Sequence, residues 1–211
     1  MGGRGSGSFT AGNVTLAAGG GASGGTDDFP AGWTPQAGQR AVNKQTTIDY
    51  ANSRIQGQDH ETMVIVDQNG YAVAVVQGGK HSVGITPNAE KHIKGNDVLH
   101  NHPNGGSLST TDVITAGKCG CRSISATSRS TKKTYTLTAT SKANGEGLAK
   151  AMSKSEKKII DKWQQKANSM AGKKYKDEAS YKKQLNKHYD NIIGDWMSKN
   201  ASKYGYTYTV K

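Results

Sequence analysis

The feature that most constrains the fold is a pair of β-rich segments joined by an Asn-Gly turn. The sequence reads TMVIVD at 62–67 and YAVAVV at 71–76, with Asn69 and Gly70 between them. Asn and Gly both tolerate positive φ angles, which a tight turn between antiparallel strands requires. The two segments therefore predict a β-hairpin, and the chain is expected to contain the sheet to which that hairpin belongs.

Hydrophobic periodicity predicts the remaining elements. A helix is expected at 46–56 and another after Ser109, where Ser109 and Asp112 have the spacing of a capping box and Gly117 marks the expected end. Two longer amphipathic helices are expected after Gly145. Alternating strands and helices indicate an α/β fold, in which flanking helices pack on a mixed β-sheet and a C-terminal helical extension follows. Further strands are predicted at 82–86, 97–100, 122–127, 134–140 and 204–210.

Composition divides the chain into three regions. Its 211 residues suit a single domain, and residues 1–25 include ten of the 27 glycines but few apolar side chains. Residues 1–45 are therefore expected to be a flexible Gly-rich leader. Residues 46–140 are expected to form the core domain, and residues 141–211 a basic helical extension with a terminal strand.

The absence of targeting signals predicts a cytoplasmic protein. No segment approaches the roughly 20 apolar residues that cross a bilayer, so no membrane partner is expected. No charged segment followed by an apolar one opens the chain, which disfavours secretion. Cys119 and Cys121 are too few for a disulfide framework, and they are expected to be small buried thiols in a reducing compartment.

Positive charge is concentrated in the last third of the chain. The net charge is +12, of which +9 falls in residues 141–211 and +3 in residues 61–140. Such asymmetry is typical either of a solvated lysine-rich surface or of a surface that docks an anionic partner such as nucleic acid. We expect this region to place a substrate or partner and to take no part in chemistry.

Two histidines and an aspartate are the strongest functional signal. His100 and His102 are two residues apart at the end of a predicted strand, so both rings point to the same side. Asp112, in the first turn of the next helix, can approach them once the intervening loop turns back. Two imidazoles and a carboxylate are a frequent set of catalytic zinc ligands that leaves the fourth position for water. We therefore predict a Zn²⁺ site at His100, His102 and Asp112, on one edge of the sheet.

A general base is also available. Glu61 immediately precedes the first strand of the hairpin. If that strand lies beside the one that ends at His100, the Glu61 carboxylate borders the predicted zinc site and can take a proton from water.

Together these motifs resemble the JAMM (JAB/MPN-plus) family of zinc metallopeptidases. The resemblance rests on Glu61, the hairpin TMVIVDQNGYAVAVV and the segment LHNHPNGGSLSTTD, and it covers roughly residues 61–138. The bacterial RadC-like branch is similar in carrying His-Asn-His-Pro and a glutamate just ahead of its hairpin. The likeness implies a fold of the JAMM and cytidine-deaminase type. Nine residues separate His102 from Asp112, where the family commonly has ten, and we interpret the difference as a shorter loop at 104–108.

The resemblance also implies a role for each motif residue. His100, His102 and Asp112 would bind zinc, Glu61 would hold and deprotonate the water, and Ser109 would stabilise the oxyanion. The implied activity is that of a zinc-dependent peptidase or isopeptidase. Its substrate would be a protein or peptide, including ubiquitin-like conjugates, because the family often releases a lysine ε-amino group. The Gly-rich opening MGGRGSGS favours a phage or prophage protein acting in the bacterial cytoplasm or associated with the phage.

Two other functions compete with this prediction. A non-catalytic, metal-bearing binding module could use the basic tail to dock nucleic acid or a protein partner. The His-Asn-His sequence also suggests an HNH nuclease. We discount the nuclease because both histidines lie in one strand rather than being divided between a hairpin and a helix.

Overall fold

A computed structural model describes residues 44–103, 105–129 and 131–211. The expected leader at 1–45 therefore lies outside the described residues, apart from its last two. No helix in the described part is long and apolar enough to traverse a lipid bilayer. The elements are α1 Lys44–Gln56, β1 Thr62–Val66, β2 Ala72–Gln77, α2 Pro87–Ile93, β3 Asp97–His102, α3 Thr110–Cys119, β4 Ser123–Ser128, β5 Thr134–Ala139, α4 Gly145–Met170, α5 Glu178–Asn200, a 3-10 turn Ala201–Tyr204 and β6 Tyr206–Val210.

The strands form one six-stranded mixed sheet in the order β2-β1-β3-β4-β5-β6. β3 and β4 are parallel, with α3 in the connection between them, and every other neighbouring pair is antiparallel. A parallel pair needs such a crossover because both of its strands begin at the same end of the sheet. The predicted α/β class, with a mixed sheet and flanking helices, is confirmed.

Both faces of the sheet are covered near β1. Met63 and Ile65 belong to the larger hydrophobic cluster, whereas Val64 and Val66 pack with Ala51 and other side chains in a smaller cluster that includes α1. Successive side chains of a strand point to opposite faces, so a strand that is covered on both faces is apolar at consecutive positions. This explains the uninterrupted apolar run at 63–66.

The predicted hairpin is confirmed, since β1 and β2 pair in antiparallel fashion. In its turn, Gly70 has a φ of +87°, whereas Asn69 does not adopt a positive φ. The Asp67 carboxylate instead accepts hydrogen bonds from the backbone N–H groups of Asn69 and Tyr71, each at 2.9 Å. The chain therefore reverses with one left-handed glycine and a side-chain acceptor.

Two local predictions are wrong. The segment 82–86 is not a strand; it leads into α2, where the Thr86 hydroxyl caps the helix by accepting from the Ala89 N–H at 3.2 Å. Pro87 at the first helical position favours this start, because proline lacks only an N–H that would have no partner within the helix. Gly117 does not end α3, which continues to Cys119 and is capped by Gly120 with a φ of +63°.

Gly117 instead allows α3 and α4 to pack closely. A Cβ atom on Gly117 would lie 2.3 Å from the carbonyl oxygen of Gly145, and a Cβ on Gly145 would lie 2.3 Å from the carbonyl oxygen of Gly117. No side chain fits at either position. The constraint on Gly117 therefore comes from a distant part of the chain rather than from the end of its own helix.

The region predicted as a C-terminal extension shares the core of the sheet. Its predicted terminal strand is confirmed as β6, which pairs with β5. The larger hydrophobic cluster combines strand residues such as Met63 and Leu137 with Met152 of α4 and Ile193 and Met197 of α5. These helices therefore pack over the sheet, close to the elements that carry the candidate site.

Candidate metal centre

The end of β3 brings two histidine side chains together. His100 and His102 are two residues apart on this strand, and their Nε2 atoms lie 3.0 Å apart. The His100 side chain is 1% exposed and that of His102 is 12% exposed. The sequence suggested a position on one edge of the sheet. Instead, β3 lies between β1 and β4, so the two rings are at the end of an interior strand.

A capping box at the start of α3 positions Asp112. The Ser109 N–H donates to Asp112 Oδ2 at 2.6 Å, and the Asp112 N–H donates to Ser109 Oγ at 3.1 Å. The predicted capping box is thus confirmed, with Asp in the position that Glu or Gln usually occupies. Asp112 Oδ2 lies 3.4 Å from His100 Nε2 and 3.6 Å from His102 Nε2. The nine-residue separation therefore still brings the carboxylate to the histidines.

These three side chains are close enough to hold one metal ion. Asp112 is fully buried, and its second oxygen, Oδ1, has no hydrogen-bond partner. A buried polar atom without a partner costs about 1–3 kcal/mol or more, and a buried carboxylate favours a bound cation as its counter-charge. Among the described residues, no other group of three or more His, Cys, Asp or Glu side chains lies close enough to share an ion.

The ionisation of Asp112 and that of His100 depend on each other. Burial alone would raise the pKa of Asp112, but His100 and His102 hold that pKa below its usual value. Burial alone would lower the pKa of His100, but Asp112, and to a smaller extent Glu61, raises it. The metal-free site therefore favours a buried aspartate–imidazolium pair, from which a metal ion would displace the proton.

Glu61 lies beside this cluster. β1 pairs with β3, as the prediction for Glu61 required, and Met63 is opposite His100. Glu61 is 5% exposed. Burial raises the pKa of its carboxyl group to about 8, while His100 opposes the rise and Asp112 adds to it. A carboxyl group with a pKa near neutrality can both take up and return a proton at physiological pH.

The segment after β2 closes over Glu61. The Glu61 N–H donates to the Gly79 carbonyl, and the Gly78 N–H donates to the Glu61 carbonyl, both at 2.7 Å. A Cβ atom on Gly78 would lie 2.3 Å from the Ser82 carbonyl oxygen, so only glycine permits this path. The same path brings the Val83 backbone into hydrogen-bonding contact with the Glu61 carboxylate, which lowers its pKa slightly.

Asn101, which sequence reasoning missed, holds the backbone on both sides of Glu61. Its Nδ2 donates to the His60 carbonyl at 2.8 Å, and its Oδ1 accepts from the Thr62 N–H at 2.6 Å. The side chain is fully buried. The only sequence signal was the position of Asn101 between the two histidines, and an asparagine before a loop is equally typical of a turn.

Ser109 lies where the sequence predicted, at the start of α3 beside Asp112. Its Oγ accepts the hydrogen bond of the capping box, which uses a lone pair and leaves the hydroxyl proton to be donated. Ser109 is 6% exposed. The structure thus brings all five predicted site residues into one region, with His100, His102 and Asp112 in mutual contact.

The remaining histidines and cysteines do not join the cluster. The Nδ1 atom of His60 instead lies 3.0 Å from Oδ1 of its neighbour Asp59. Cys121 is buried as predicted, whereas Cys119 is only partly buried. Burial raises the pKa of the Cys121 thiol to about 12, which keeps it protonated and unreactive at neutral pH.

Comparison with known proteins supplies no relative for this chain. No family model matches it, and no curated protein or solved structure matches it either.

Proposed function

We propose that this protein is a zinc-dependent hydrolase that cleaves amide bonds. The observation that carries the proposal is the triangle formed by His100 Nε2, His102 Nε2 and Asp112 Oδ2, with sides of 3.0, 3.4 and 3.6 Å. Tetrahedral zinc binds nitrogen and oxygen at roughly 2.0–2.1 Å, which requires ligand atoms about 3.3 Å apart. The three distances are centred on that value, before any ion has drawn the side chains together.

The triangle also leaves room for a reacting group. A circle through its three atoms has a radius of about 1.9 Å, slightly shorter than the zinc–ligand distance. His100, His102 and Asp112 would therefore supply three ligands to an ion of this size, and the trio leaves a fourth tetrahedral position unfilled. Catalytic zinc sites keep such a position for water or substrate, whereas structural sites fill it with a fourth side chain.

Zinc held here would lower the pKa of a water molecule toward about 7 and polarise the substrate carbonyl. The positive charge would also favour the ionised form of Glu61, which the metal-free site disfavours. Glu61 would then take the water proton and pass it to the leaving amine. Ser109 would donate its hydroxyl proton in a hydrogen bond to the oxygen that gains negative charge.

The substrate class is proposed from the resemblance to JAMM metallopeptidases. The order of Glu61, the hairpin, His-Asn-His-Pro and Ser-x-x-Asp favours a peptidase or isopeptidase. A peptide bond and a lysine isopeptide bond present the same carbonyl to the site. They differ in the leaving amine, which is the group that Glu61 would protonate.

The test compares Glu61→Gln with the matched exposed variant Glu146→Gln. Glutamine is nearly isosteric with glutamate but accepts no proton, so hydrolysis by Glu61→Gln should fall by about 10²–10⁴-fold. Both variants should bind one zinc per chain by elemental analysis. The substrates are quenched-fluorescent peptide libraries and lysine-linked ubiquitin-like conjugates. The proposal would be contradicted if Glu61→Gln hydrolysed substrate as fast as the wild type. It would also be contradicted if wild-type protein purified in the presence of zinc contained none.

A second candidate function is a metal-bearing module that docks nucleic acid. Ten lysines lie between residues 157 and 188, against three acidic residues, and all ten are exposed. Lys182 is paired with Glu178. Lysines also recur at four-residue intervals along α4, which places their Cα atoms about 6 Å apart along the helix axis. The lysines of this surface are Lys157, Lys158, Lys162, Lys166, Lys173, Lys174, Lys176, Lys182, Lys183 and Lys187.

Salt dependence tests this candidate. The quadruple glutamine variant of Lys158, Lys162, Lys173 and Lys183 is compared with that of Lys80, Lys91, Lys94 and Lys133, which removes the same charge elsewhere. If nucleic acid docks on the helices, only the first variant should weaken DNA or RNA binding. Its salt slope should then decrease by about 0.7–0.9 for each phosphate that is no longer neutralised. Equal effects of both variants would indicate unspecific attraction to net charge. Zinc binding should survive in both.

A further inference from the structure

We propose that Glu156 of α4 and Asp190 of α5 are positioning residues for the metal centre. They hold the segment 107–110, from which the chain enters α3 and presents Asp112. This inference rests on the metal site of the proposed function, but it requires only metal binding and not hydrolysis. It revises the expectation that residues 141–211 only place a substrate or partner.

Asp190 holds the first residue of this segment. Its Oδ1 accepts a hydrogen bond from the Ser107 backbone N–H at 2.8 Å. Ser107 is 2% exposed and lies in the loop between β3 and α3, outside any strand or helix. A buried backbone N–H in a loop needs an acceptor, and an ionised carboxylate is the strongest acceptor that a side chain offers. Asp190 supplies it from a helix 83 positions further along the chain.

Glu156 holds the last residue of the segment. Its Oε1 accepts a hydrogen bond from the Thr110 hydroxyl at 2.7 Å. Thr110 is 3% exposed and is the first residue of α3. Between the two held residues lies Ser109, whose N–H donates to the oxygen of Asp112 that faces the histidines. The carboxylates of α4 and α5 thus fix both ends of the segment that aims Asp112.

Zinc affinity should be sensitive to this arrangement. A tetrahedral site requires its ligand atoms to stay within a few tenths of an ångström, and the side chains around metal ligands typically contribute 10–100-fold to affinity. In contrast, the outer faces of α4 and α5 carry Asp161 and Asp195, which are exposed. These two residues provide matched controls on the same helices.

The experiment measures the zinc dissociation constant of the full chain by competition with a chromophoric chelator, and the stability of the metal-free chain by urea unfolding. Asp190→Ala and Glu156→Ala should each raise the dissociation constant about 10–100-fold. Asp190→Asn and Glu156→Gln keep an acceptor oxygen and should lie between the alanine variants and the wild type. Asp161→Ala and Asp195→Ala should leave zinc affinity unchanged.

If Glu156 and Asp190 only stabilise the fold, their alanine variants should have a lower free energy of unfolding, but the molecules that remain folded should bind zinc as tightly as the wild type. A double-mutant cycle keeps the test decisive, because Glu156 is proposed to act through the Thr110 hydroxyl. Thr110→Val should therefore weaken zinc binding as Glu156→Ala does, and the double variant should be no weaker than either single variant. Wild-type zinc affinity in folded Glu156→Ala and Asp190→Ala would overturn the inference. If the zinc-loaded wild type hydrolysed none of the substrates, that result would count against the proposed function and would leave this inference standing.

Discussion

The two ends of β3 each lead to a buried carboxylate, and the two carboxylates have opposite environments. At the start of the strand, Asp97 is fully buried between Lys44, whose Nζ lies 2.8 Å away, and Arg122, whose Nη2 lies 2.5 Å away. The Ser123 hydroxyl donates to the other oxygen of Asp97. Every oxygen of this carboxylate has a partner, and its charge is neutralised by two permanent cations.

At the other end, roughly 17 Å along the strand for five residues of rise, the carboxylate of Asp112 has no permanent cation. The basic side chains nearest to it are those of His100 and His102, which carry charge only when protonated, and its Oδ1 has no hydrogen-bond partner. The first site is complete within the chain, whereas the side chains of the second could hold a cation from outside. A buried cluster that lacks a permanent counter-charge is the expected form of a metal site before the ion binds.

The largest predicted effect is loss of metal binding when one ligand is removed. His102→Ala should weaken zinc binding by more than about 100-fold, or roughly 2.7 kcal/mol, because it removes a bond to the ion rather than a supporting contact. His81→Ala and His92→Ala, in the segment between β2 and β3, should retain wild-type affinity. The measurement is a chelator competition at fixed pH. Equal losses in all three variants would place the metal elsewhere.

For the site of Asp97, we predict a loss of stability without a loss of zinc affinity. Asp97→Asn should lower the free energy of unfolding by about 2 kcal/mol. This is less than the 3–5 kcal/mol typical of a broken buried pair, because Lys44 and Arg122 remain partly hydrated. Urea unfolding of the metal-free chain measures the change, and the zinc affinity of the folded variant should equal that of the wild type. A variant that lost zinc affinity would show that the two ends of β3 are not independent.

The last of these effects, and the smallest when counted per pH unit, is that of pH on zinc affinity. The pKa of His100 is raised in the metal-free chain, mainly because the Asp112 carboxylate outweighs the effect of burial. Below that raised pKa, zinc must displace a proton from His100, whereas Asp112, whose pKa is lowered, is already ionised. Zinc affinity should therefore fall as pH falls, by about tenfold (1.4 kcal/mol) per pH unit for each proton displaced. In Asp112→Asn, the fall in zinc affinity should begin at a lower pH, because the carboxylate that raises the pKa of His100 is gone. A pH-independent affinity between pH 5 and 7 would show that zinc does not replace a proton on His100.

Much of the site could be predicted because its information is local in the chain. His100, His102 and Asp112 fall within 13 consecutive residues. The two histidines are two residues apart on a strand, and Asp112 is three residues after the helix cap, so local geometry places each side chain. The hairpin and the terminal strand were predictable for the same reason. The errors arose where a local signal had two meanings. Gly117 looked like a helix end but permits a helix contact, and the segment 82–86 looked like a strand but leads into Pro87.

The sequence by itself determined the mixed α/β class, the hairpin, the capping box and the three candidate ligands, because each depends on backbone preferences over a few neighbouring residues. The tertiary structure alone decided which distant groups meet them. It placed Asn101 around Glu61, Gly145 against Gly117, and Glu156 and Asp190 on the segment before Asp112. These contacts join residues up to 83 positions apart. Those of Gly145, Glu156 and Asp190 depend on how α4 and α5 pack in the fold. Periodicity indicates which face of a helix is apolar, but only packing determines which polar group of a neighbouring element lies at its border.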